Sequence, residues 1–278
     1  MKVDPITFAV IKSGLDSIAD DMAYTVVRIA RSEIVKDVMD FSAAICAADG
    51  QMVAQAKTIA QHLGAIPEAM ESVLTKFDGD IHDRDVIIMN DPYHGGMHLP
   101  DIFMFVPIFS EGKRRAFAVV ICHHTDVGGR VPGSNASDST EIYQEGLRIP
   151  PLKLYDKGVL NTTLEALIKI NVREPERVWG DLSAQFAAAQ VGRRGLEKLM
   201  ARYGADDVDA YLQELLDYAE RMTREEIKHW PKGTYSFIDH IDNDGFSETP
   251  IPIKVAITVN GDGTLFVDYT GSSPQVRG

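Results

Sequence analysis

The sequence predicts a mixed α+β fold, with antiparallel or mixed sheets, a long N-terminal helix and a central helical segment. Apolar residues recur at helical spacing near the start of the chain and again over 160–227. Short apolar runs typical of strands lie between and after these two regions. Because the helical and strand patterns are segregated more than strictly alternating, they favour an α+β fold over a doubly wound one.

The first element is predicted to be a long amphipathic helix. Asp4-Pro5 supplies an N-cap residue and a proline at the first helical position. The apolar residues that follow at helical spacing are Ile6, Val10, Leu15, Ile18, Met22, Val26 and Ile29. A hairpin is predicted next, because Asp49-Gly50 is a strong two-residue hairpin signal between strand-like runs at 43–47 and 52–55.

The remaining elements follow from the same two periodicities and from turn residues. Helices are predicted over 67–77 and within 160–227, the second region being ended by Pro231. Strands are predicted at 85–89, 102–109, 116–122, 235–240, 253–259 and 264–269. Residues 128–148 are rich in Gly, Ser and Asn, which indicates a long functional or mobile loop.

These patterns divide the chain into three segments. Residues 1–158 form a predicted N-terminal α/β region that carries the candidate metal site, residues 159–231 a helical segment, and residues 232–278 a β-rich segment. The final residues, 271–278, are typical of a turn that leads into another element. We therefore expect the β-rich segment to continue in a longer, full-length subunit.

Composition narrows the class of protein and the choice of partners. The hydrophobic share of 45% and the charged share of 25% are ordinary for a soluble globular protein. A net charge of −13 argues against nucleic acid, since phosphate binding needs a basic surface. Two cysteines supply neither a disulfide framework nor a cysteine-based zinc module. With no secretory signal pattern and no apolar run near the ~18 residues of a membrane span, we expect a cytoplasmic protein without a membrane partner.

Two short segments hold most of the side chains suited to catalysis. Residues 90–101 and 122–129 contain four of the eight histidines of the chain, three aspartates and two Gly-Gly pairs. Imidazole and carboxylate groups at this density suit a divalent metal ion such as zinc, manganese or iron. The glycines allow the backbone to turn sharply or to approach a bound group closely. We expect the active site here.

His98, Asp101 and His123 are the first candidates for metal ligands. His98 and Asp101 flank Leu99-Pro100, where a turn can direct both side chains at one ion. His123, at the end of the following strand, supplies a third ligand, and three ligands with an open position are typical of a catalytic site. Asp40 is either a further ligand or the cap of a local turn.

The neighbouring polar residues have weaker or alternative roles. His124 and His123 face opposite sides of a strand, so they cannot both be ordinary ligands of one ion. We therefore predict that His124, or Asp126, moves a proton during catalysis. Each histidine also has a purely structural alternative, as a hydrogen-bonded core residue. Asp91 is expected to initiate a turn, and His94 to form a hydrogen bond with the backbone of its own loop. Cys122 is expected to be an inert apolar filler. His62 is either a substrate contact or a helix-start residue.

Motifs of nucleotide-dependent and serine-dependent catalysis are missing from the sequence. There is no Gly-x-Ser-x-Gly elbow, no Walker-type phosphate loop and no dinucleotide-binding fingerprint after a predicted strand. The sequence therefore gives no support for ATP or NAD binding by this chain.

Several motifs in the same order resemble the hydantoinase B/5-oxoprolinase family. They lie at 36–42 (KDVMDFS), 61–64 (QHLG), 90–93 with 95–98 (NDPY and GGMH), 123–129 (HHTDVGG), 144–151 (QEGLRIPP) and 180–185 (GDLSAQ). The resemblance spans the whole chain, although family members usually run to about twice this length. It implies a separate A-type subunit that binds ATP and phosphorylates the substrate oxygen, and a B-type subunit that acts on the activated substrate at a metal site.

The resemblance also implies a ligand set and a reaction class. In related acetone carboxylases a histidine, an aspartate three residues on and a histidine 25 residues after the first hold the metal, and His98, Asp101 and His123 match that spacing. Members open hydantoins, 5-oxoproline or lactams, while relatives carboxylate acetone or acetophenone. Our leading hypothesis is the metal-bearing B-type subunit of an ATP-dependent cyclic-amide hydrolase, in a hetero-oligomer with its A-type partner. The alternatives are a subunit of a ketone carboxylase and a non-catalytic scaffold for the A-type subunit.

Overall fold

The computed structural model describes residues 4–278 and confirms the mixed α+β fold. Its helices are α1 (Pro5–Ile29), α2 (Glu33–Lys36), α3 (Ile66–Lys76), α4 (Thr162–Asn171), α5 (Pro175–Tyr203) and α6 (Ala205–Lys228). Its strands are β1 (Phe41–Ala47), β2 (Met52–Gln55), β3 (Val86–Met89), β4 (Asp101–Ser110), β5 (Lys113–His123), β6 (Leu152–Asp156), β7 (Val159–Leu160), β8 (Gly233–Ile241), β9 (Ile251–Val259) and β10 (Leu265–Asp268). Short 3₁₀ helices lie at Gln61–Ala65, Pro92–His94 and Ile142–Gln144.

The described residues form two compact units. The first comprises the chain up to Ser134 together with Glu145–Gln213, and the second comprises Asn135–Gln144 together with Glu214–Gly278. The three-segment division drawn from sequence patterns stays a prediction.

The first unit is built on a seven-stranded sheet in the order β2-β1-β5-β4-β3-β6-β7. Every neighbouring pair is antiparallel. Alternate residues of a strand face opposite sides of a sheet. On β5, Phe117 and Val119 pack in a core cluster with Met70 and Val73 of α3, whereas Ala118 faces Gly192 of α5. The long central strands are therefore buried between helices on both faces.

The N-terminal helix is confirmed, but its buried stripe differs from the predicted one. The carboxylate of Asp4 caps α1 by accepting a hydrogen bond from the Thr7 N–H group at 2.8 Å. The predicted core residues Ile6, Val10 and Ile29 are exposed, whereas Ile11 is fully buried. The stripe that faces the core comprises Ile11, Leu15, Ile18, Met22 and Val26.

The predicted strands and helices are otherwise present, whereas α2, β6, β7 and the short 3₁₀ helices were missed. The hairpin of β1 and β2 is confirmed, but its connection has four residues, 48–51, rather than two, and Gly50 takes a φ of 93° within it. The helix α2 is a single turn. The last two strands on one side of the sheet, β6 and β7, are short and only partly buried, so their apolar pattern is too weak to distinguish them from a loop.

Both cysteines lie in the described part of the chain as free, buried thiols. Burial raises the pKa of Cys46 to about 12 and raises the pKa of Cys122 well above its usual value. The two thiols are therefore unreactive, which agrees with the prediction of Cys122 as an apolar filler. Within residues 4–278, none of the helices combines the length and the apolar character that crossing a membrane requires.

The second unit contains a three-stranded antiparallel sheet in the order β10-β9-β8. The register places one set of alternating apolar residues on the same face. Its exposed members are Tyr235, Phe237, Ile241, Ile253 and Val267.

Candidate metal centre

Three neighbouring strands bring predicted site residues to one end of the large sheet. Asp101 begins β4 and His123 ends β5, and these two residues are directly opposite each other in the antiparallel pair. Asp40 immediately precedes β1 on the other side of β5, where its carbonyl accepts a hydrogen bond from the His123 N–H group at 3.0 Å. Sheet register therefore places these three residues, distant in sequence, side by side.

His98 reaches the same place from the loop that precedes β4. A turn forms between them, in which the Asp101 N–H group donates to the His98 carbonyl at 3.0 Å. The buried Asn90 side chain holds this loop by donating to the Leu99 carbonyl at 2.7 Å and accepting from the Ile149 N–H group at 2.6 Å. Asn90 was identified from sequence only as part of a motif. Its structural role depends on a partner 59 residues away.

The facing atoms of His98, Asp101 and His123 form a nearly equilateral triangle. His98 Nε2 lies 3.1 Å from His123 Nδ1 and 3.2 Å from Asp101 Oδ1, and the third side is also 3.2 Å. Ligands that bind a metal ion at about 2.1 Å are separated from one another by about 3.0–3.4 Å. The three atoms therefore have the spacing of three ligands on one ion.

The electrostatics of this triangle keep Asp101 ionised. Burial alone would raise the pKa of Asp101, but hydrogen bonds from His123 and His98 outweigh burial and hold that pKa well below its usual range. The hydrogen bond to Asp101 in turn raises the pKa of His98. The carboxylate is thus available as an anionic ligand, while the side chain of His98, about two-fifths exposed, leaves the centre open to solvent on one side.

Asp40 lies at the edge of the triangle, with one unsatisfied oxygen. Its Oδ2 atom is 3.9 Å from His123 Nδ1. Its Oδ1 atom is buried and has no hydrogen-bond partner in the described part of the chain. A buried carboxylate oxygen without a partner is costly, and a bound cation would satisfy it. This orphaned oxygen favours Asp40 as a ligand over Asp40 as a turn cap.

His62 also faces the centre, from the 3₁₀ helix Gln61–Ala65. Its side chain is buried, and its Nε2 atom lies 3.4 Å from Asp40 Oδ1 and 3.7 Å from Asp101 Oδ2. Burial lowers the pKa of His62 despite the two nearby carboxylates. On the other side of the ring, Nδ1 lies 3.1 Å from the Ser42 hydroxyl. The sequence motif drew attention to His62, but no signal in the sequence connects it with Ser42.

His124 is directed away from the triangle, as expected for adjacent residues on a strand. It is fully buried, and its Nε2 atom lies 3.0 Å from Gln185 Oε1 on α5. Because an amide oxygen only accepts, Nε2 carries the proton. The Gln185 amide nitrogen donates to the carbonyls of Ile102 and Val120, which ties α5 to β4 and β5. Through these contacts His124 and Gln185 hold α5 against the sheet. The role of His124 in proton transfer stays a prediction.

Asp126 organises the loop that follows β5. Its carboxylate accepts from the N–H groups of Gly128, Gly133 and Arg173 and from the Arg173 guanidinium, at 2.8–3.1 Å. Burial would raise its pKa, but these hydrogen bonds lower the pKa below the ordinary value. A carboxylate with four donors is well suited to fixing a loop. The role of Asp126 in proton transfer stays a prediction.

Asp126→Asn is expected to destabilise the protein in a pH-dependent way. At neutral pH the loss of the charge beside Arg173 costs about 3 kcal/mol of unfolding free energy. Since the folded-state pKa lies below the unfolded one, the stability due to the charge is complete above the unfolded value near pH 4 and is lost as the pH falls through the folded value. Urea unfolding at pH 7 and pH 3 tests this: a stability difference between wild type and variant that does not shrink at pH 3 would contradict it.

Asp91 and His94 pair with each other rather than joining the centre. The Asp91 carboxylate accepts from the Tyr93 N–H group at 3.0 Å and begins a turn, as predicted. The predicted hydrogen bond between the His94 side chain and the backbone of its own loop is not the one observed. The Nδ1 atom of His94 instead lies 3.0 Å from the carboxylate of Asp91.

A second group of ligand-type side chains, His82, Asp85 and Asp156, lies elsewhere in the first unit. The ammonium group of Lys153 is 3.1 Å from Asp85 and 3.6 Å from Asp156. A cation of the chain itself already neutralises this cluster, so it is a structural ion-pair network.

The fold and the triangle of ligand-type atoms define a mixed α+β protein with a candidate His/Asp metal centre. A family model described as hydantoinase B/oxoprolinase matches residues 4–278. The chain belongs to the hydantoinase B/oxoprolinase family, which confirms the resemblance drawn from its motifs.

Individual relatives agree with this membership. The caprolactamase subunit beta of Pseudomonas jessenii is 36% identical over 260 residues, which cover 94% of this chain and 45% of the relative. The crystal structure of the ATP-dependent caprolactamase from the same organism aligns with a TM-score of 0.91 at 35% identity, covering all of this chain and 48% of that one. A nucleotide-free acetone carboxylase aligns with a TM-score of 0.90 at 24% identity, over 97% of this chain and 38% of that one, which shows the fold alone. The chain spans about half the length of some curated relatives it matches and less than a quarter of others, such as the 5-oxoprolinase of Dictyostelium discoideum.

Proposed function

We propose that this chain is the metal-bearing part of the B-type subunit of an ATP-dependent cyclic-amide hydrolase. The observation that carries the proposal is the triangle of His98 Nε2, Asp101 Oδ1 and His123 Nδ1, whose sides of 3.1–3.2 Å fit three ligands of a divalent ion. Asp40 is the fourth ligand, through a carboxylate that carries an unpartnered buried oxygen. Family membership and the similarity to a protein named caprolactamase support a cyclic amide as the substrate.

The chemistry of an amide explains why two subunits take part. An amide is a poor electrophile, and phosphorylation of its oxygen by an A-type partner that uses ATP turns this oxygen into a better leaving group. A divalent ion such as zinc, manganese or iron would lower the pKa of a bound water toward neutrality and polarise a substrate oxygen. The chain contributes by holding Asp101 and His123 on strand ends and His98 on the adjoining loop, by burying Asp101, and by leaving access from the side of His98.

The chain alone is expected to lack ATPase activity. No phosphate-binding loop occurs in its sequence, and the relative named caprolactamase subunit beta is by its name one subunit of a larger enzyme. Phosphate release from ATP by the pure chain should stay at the level of a no-protein control, and adding the A-type subunit and a cyclic amide should start turnover. Robust ATP hydrolysis by the isolated chain would contradict this division of labour.

A substrate panel tests the reaction class. The full B-type subunit with its A-type partner, ATP and divalent metal should open hydantoin, 5-oxoproline or caprolactam, as followed by chromatography of the linear product. The matched control is the same complex carrying His123→Ala. Bicarbonate-dependent consumption of acetone or acetophenone, without ring opening, would overturn the hydrolase in favour of a ketone carboxylase. Wild-type protein without stoichiometric metal would favour a scaffold.

A further inference from the structure

The hydrogen bonds of Ser42 determine which nitrogen of His62 carries a proton. The single hydroxyl proton of Ser42 is donated to the Ile59 carbonyl, at 2.6 Å. Towards His62 Nδ1, 3.1 Å away, the hydroxyl oxygen can therefore only accept. His62 Nδ1 is the donor in this contact, and in the neutral ring Nε2 carries a lone pair.

The lone pair of Nε2 points towards two carboxylates. Asp40 Oδ1 is 3.4 Å away and Asp101 Oδ2 is 3.7 Å away. Both distances exceed the 2.7–3.2 Å or so of an N–H···O hydrogen bond, and Asp40 Oδ1 has no hydrogen-bond partner within residues 4–278. His62 Nε2 thus faces two carboxylate oxygens beyond hydrogen-bond distance, one of them buried and without a partner, and a cation between these acceptors would relieve the arrangement.

Asp101 connects this arrangement with the triangle described above. Its Oδ1 atom faces His98 and His123, while its Oδ2 atom faces His62. Asp40 likewise presents Oδ2 to His123 and Oδ1 to His62. Each of the two carboxylates therefore directs one oxygen towards the triangle and the other towards His62.

We propose that His62 is a third imidazole ligand of the metal centre, bound through Nε2, with Ser42 as the positioning residue that fixes its tautomer. This inference rests on the metal centre of the proposed function. In this arrangement the Ser42 hydroxyl oxygen accepts the Nδ1–H of His62 and so orients Nε2 towards the metal.

The decisive experiment counts the imidazole ligands. The full chain is loaded with Zn²⁺, and X-ray absorption fine structure at the zinc edge gives the number of imidazoles, while chelator competition gives the affinity. Wild type should show three imidazoles. His62→Asn keeps a donor near the position of Nδ1 and removes Nε2, so it should show two imidazoles and lose more than the ~10–100-fold in affinity typical of an outer-shell change.

Two further variants distinguish a residue that binds the metal from a residue that only positions a ligand. Ser42→Ala should keep three imidazoles and lose about 10–100-fold in affinity, as an outer-shell partner does. His94→Asn is the matched control, because His94 pairs with Asp91 outside the centre, and it should change neither quantity.

Two imidazoles in wild type, or an unchanged count in His62→Asn, would overturn the inference even if metal binding still depended on His98 and His123. That result would leave the proposed function intact. Wild type that binds no Zn²⁺ at all would instead contradict the proposed function together with this inference. The wild-type count and the Ser42→Ala variant decide the matter even if His62→Asn does not fold.

Discussion

His98→Ala, Asp101→Ala and His123→Ala are each expected to remove bound metal from the protein and to abolish ring opening by the complex. The three facing atoms lie within 3.2 Å of one another, so the loss of any one leaves only two of the three closest ligands. We expect metal affinity to fall by far more than the ~10–100-fold of an outer-shell change. Elemental analysis after dialysis measures the occupancy, and circular dichroism checks that the variants are folded.

His124→Ala is the matched control for the ligand variants. His124 follows His123 directly, but it is buried against Gln185 on the opposite face of the strand. Its truncation should leave metal occupancy unchanged and lower the unfolding free energy by about 2–4 kcal/mol, since it creates a cavity and leaves the Gln185 oxygen unpaired. Full metal occupancy in the His98 and His123 variants, or metal loss confined to His124→Ala, would show that the centre is misplaced.

Gly95→Ala is expected to destabilise the protein strongly. Gly95 ends the 3₁₀ helix at Pro92–His94 with a φ of 86°, which is a left-handed conformation that favours glycine. A Cβ atom there would lie 2.5 Å from the Ala69 nitrogen and 2.6 Å from the Glu68 carbonyl carbon, both backbone atoms. Because the backbone of α3 cannot yield easily, we expect a loss of about 3 kcal/mol or more, measured by urea unfolding.

The same substitution should also weaken metal binding, because the displaced loop carries His98. Gly112→Ala supplies the comparison: Gly112 has a similar φ of 73°, but nothing lies within 4 Å of the added methyl group. It should cost only the conformational strain, about 1–2 kcal/mol, and leave metal affinity unchanged. Equal destabilisation by the two substitutions would mean that the contact between Gly95 and α3 is unimportant.

The fold could be predicted to the extent that its elements are long and periodic. The spacing of apolar residues and the Asp4 cap identified α1, and Asp49-Gly50 identified the first hairpin. The exposed ends of α1 could not be anticipated, because periodicity alone does not tell where the neighbouring α5 begins and ends. The strands β6 and β7 are too short to leave a pattern.

The residues of the candidate site could be predicted from the sequence, but the hydrogen bonds between them and distant residues could not. Histidine and aspartate density directed attention to His98, Asp101 and His123, and the structure places their ligand atoms together. The pairing of Ser42 with His62, of Gln185 with His124 and of Asn90 with its loop depends on sheet register and helix packing between distant residues. Without that register, His62 could be assigned only a choice between a substrate contact and a helix start.

Anomalous diffraction is the most direct test of a metal centre at the end of the large sheet. Crystals of the metal-loaded protein, measured on both sides of the zinc or manganese absorption edge, locate the ion independently of any activity. We predict an anomalous peak within about 2.3 Å of His98 Nε2, Asp101 Oδ1 and His123 Nδ1. A loaded protein whose anomalous signal lies elsewhere, for example at His82, Asp85 and Asp156, would contradict the account.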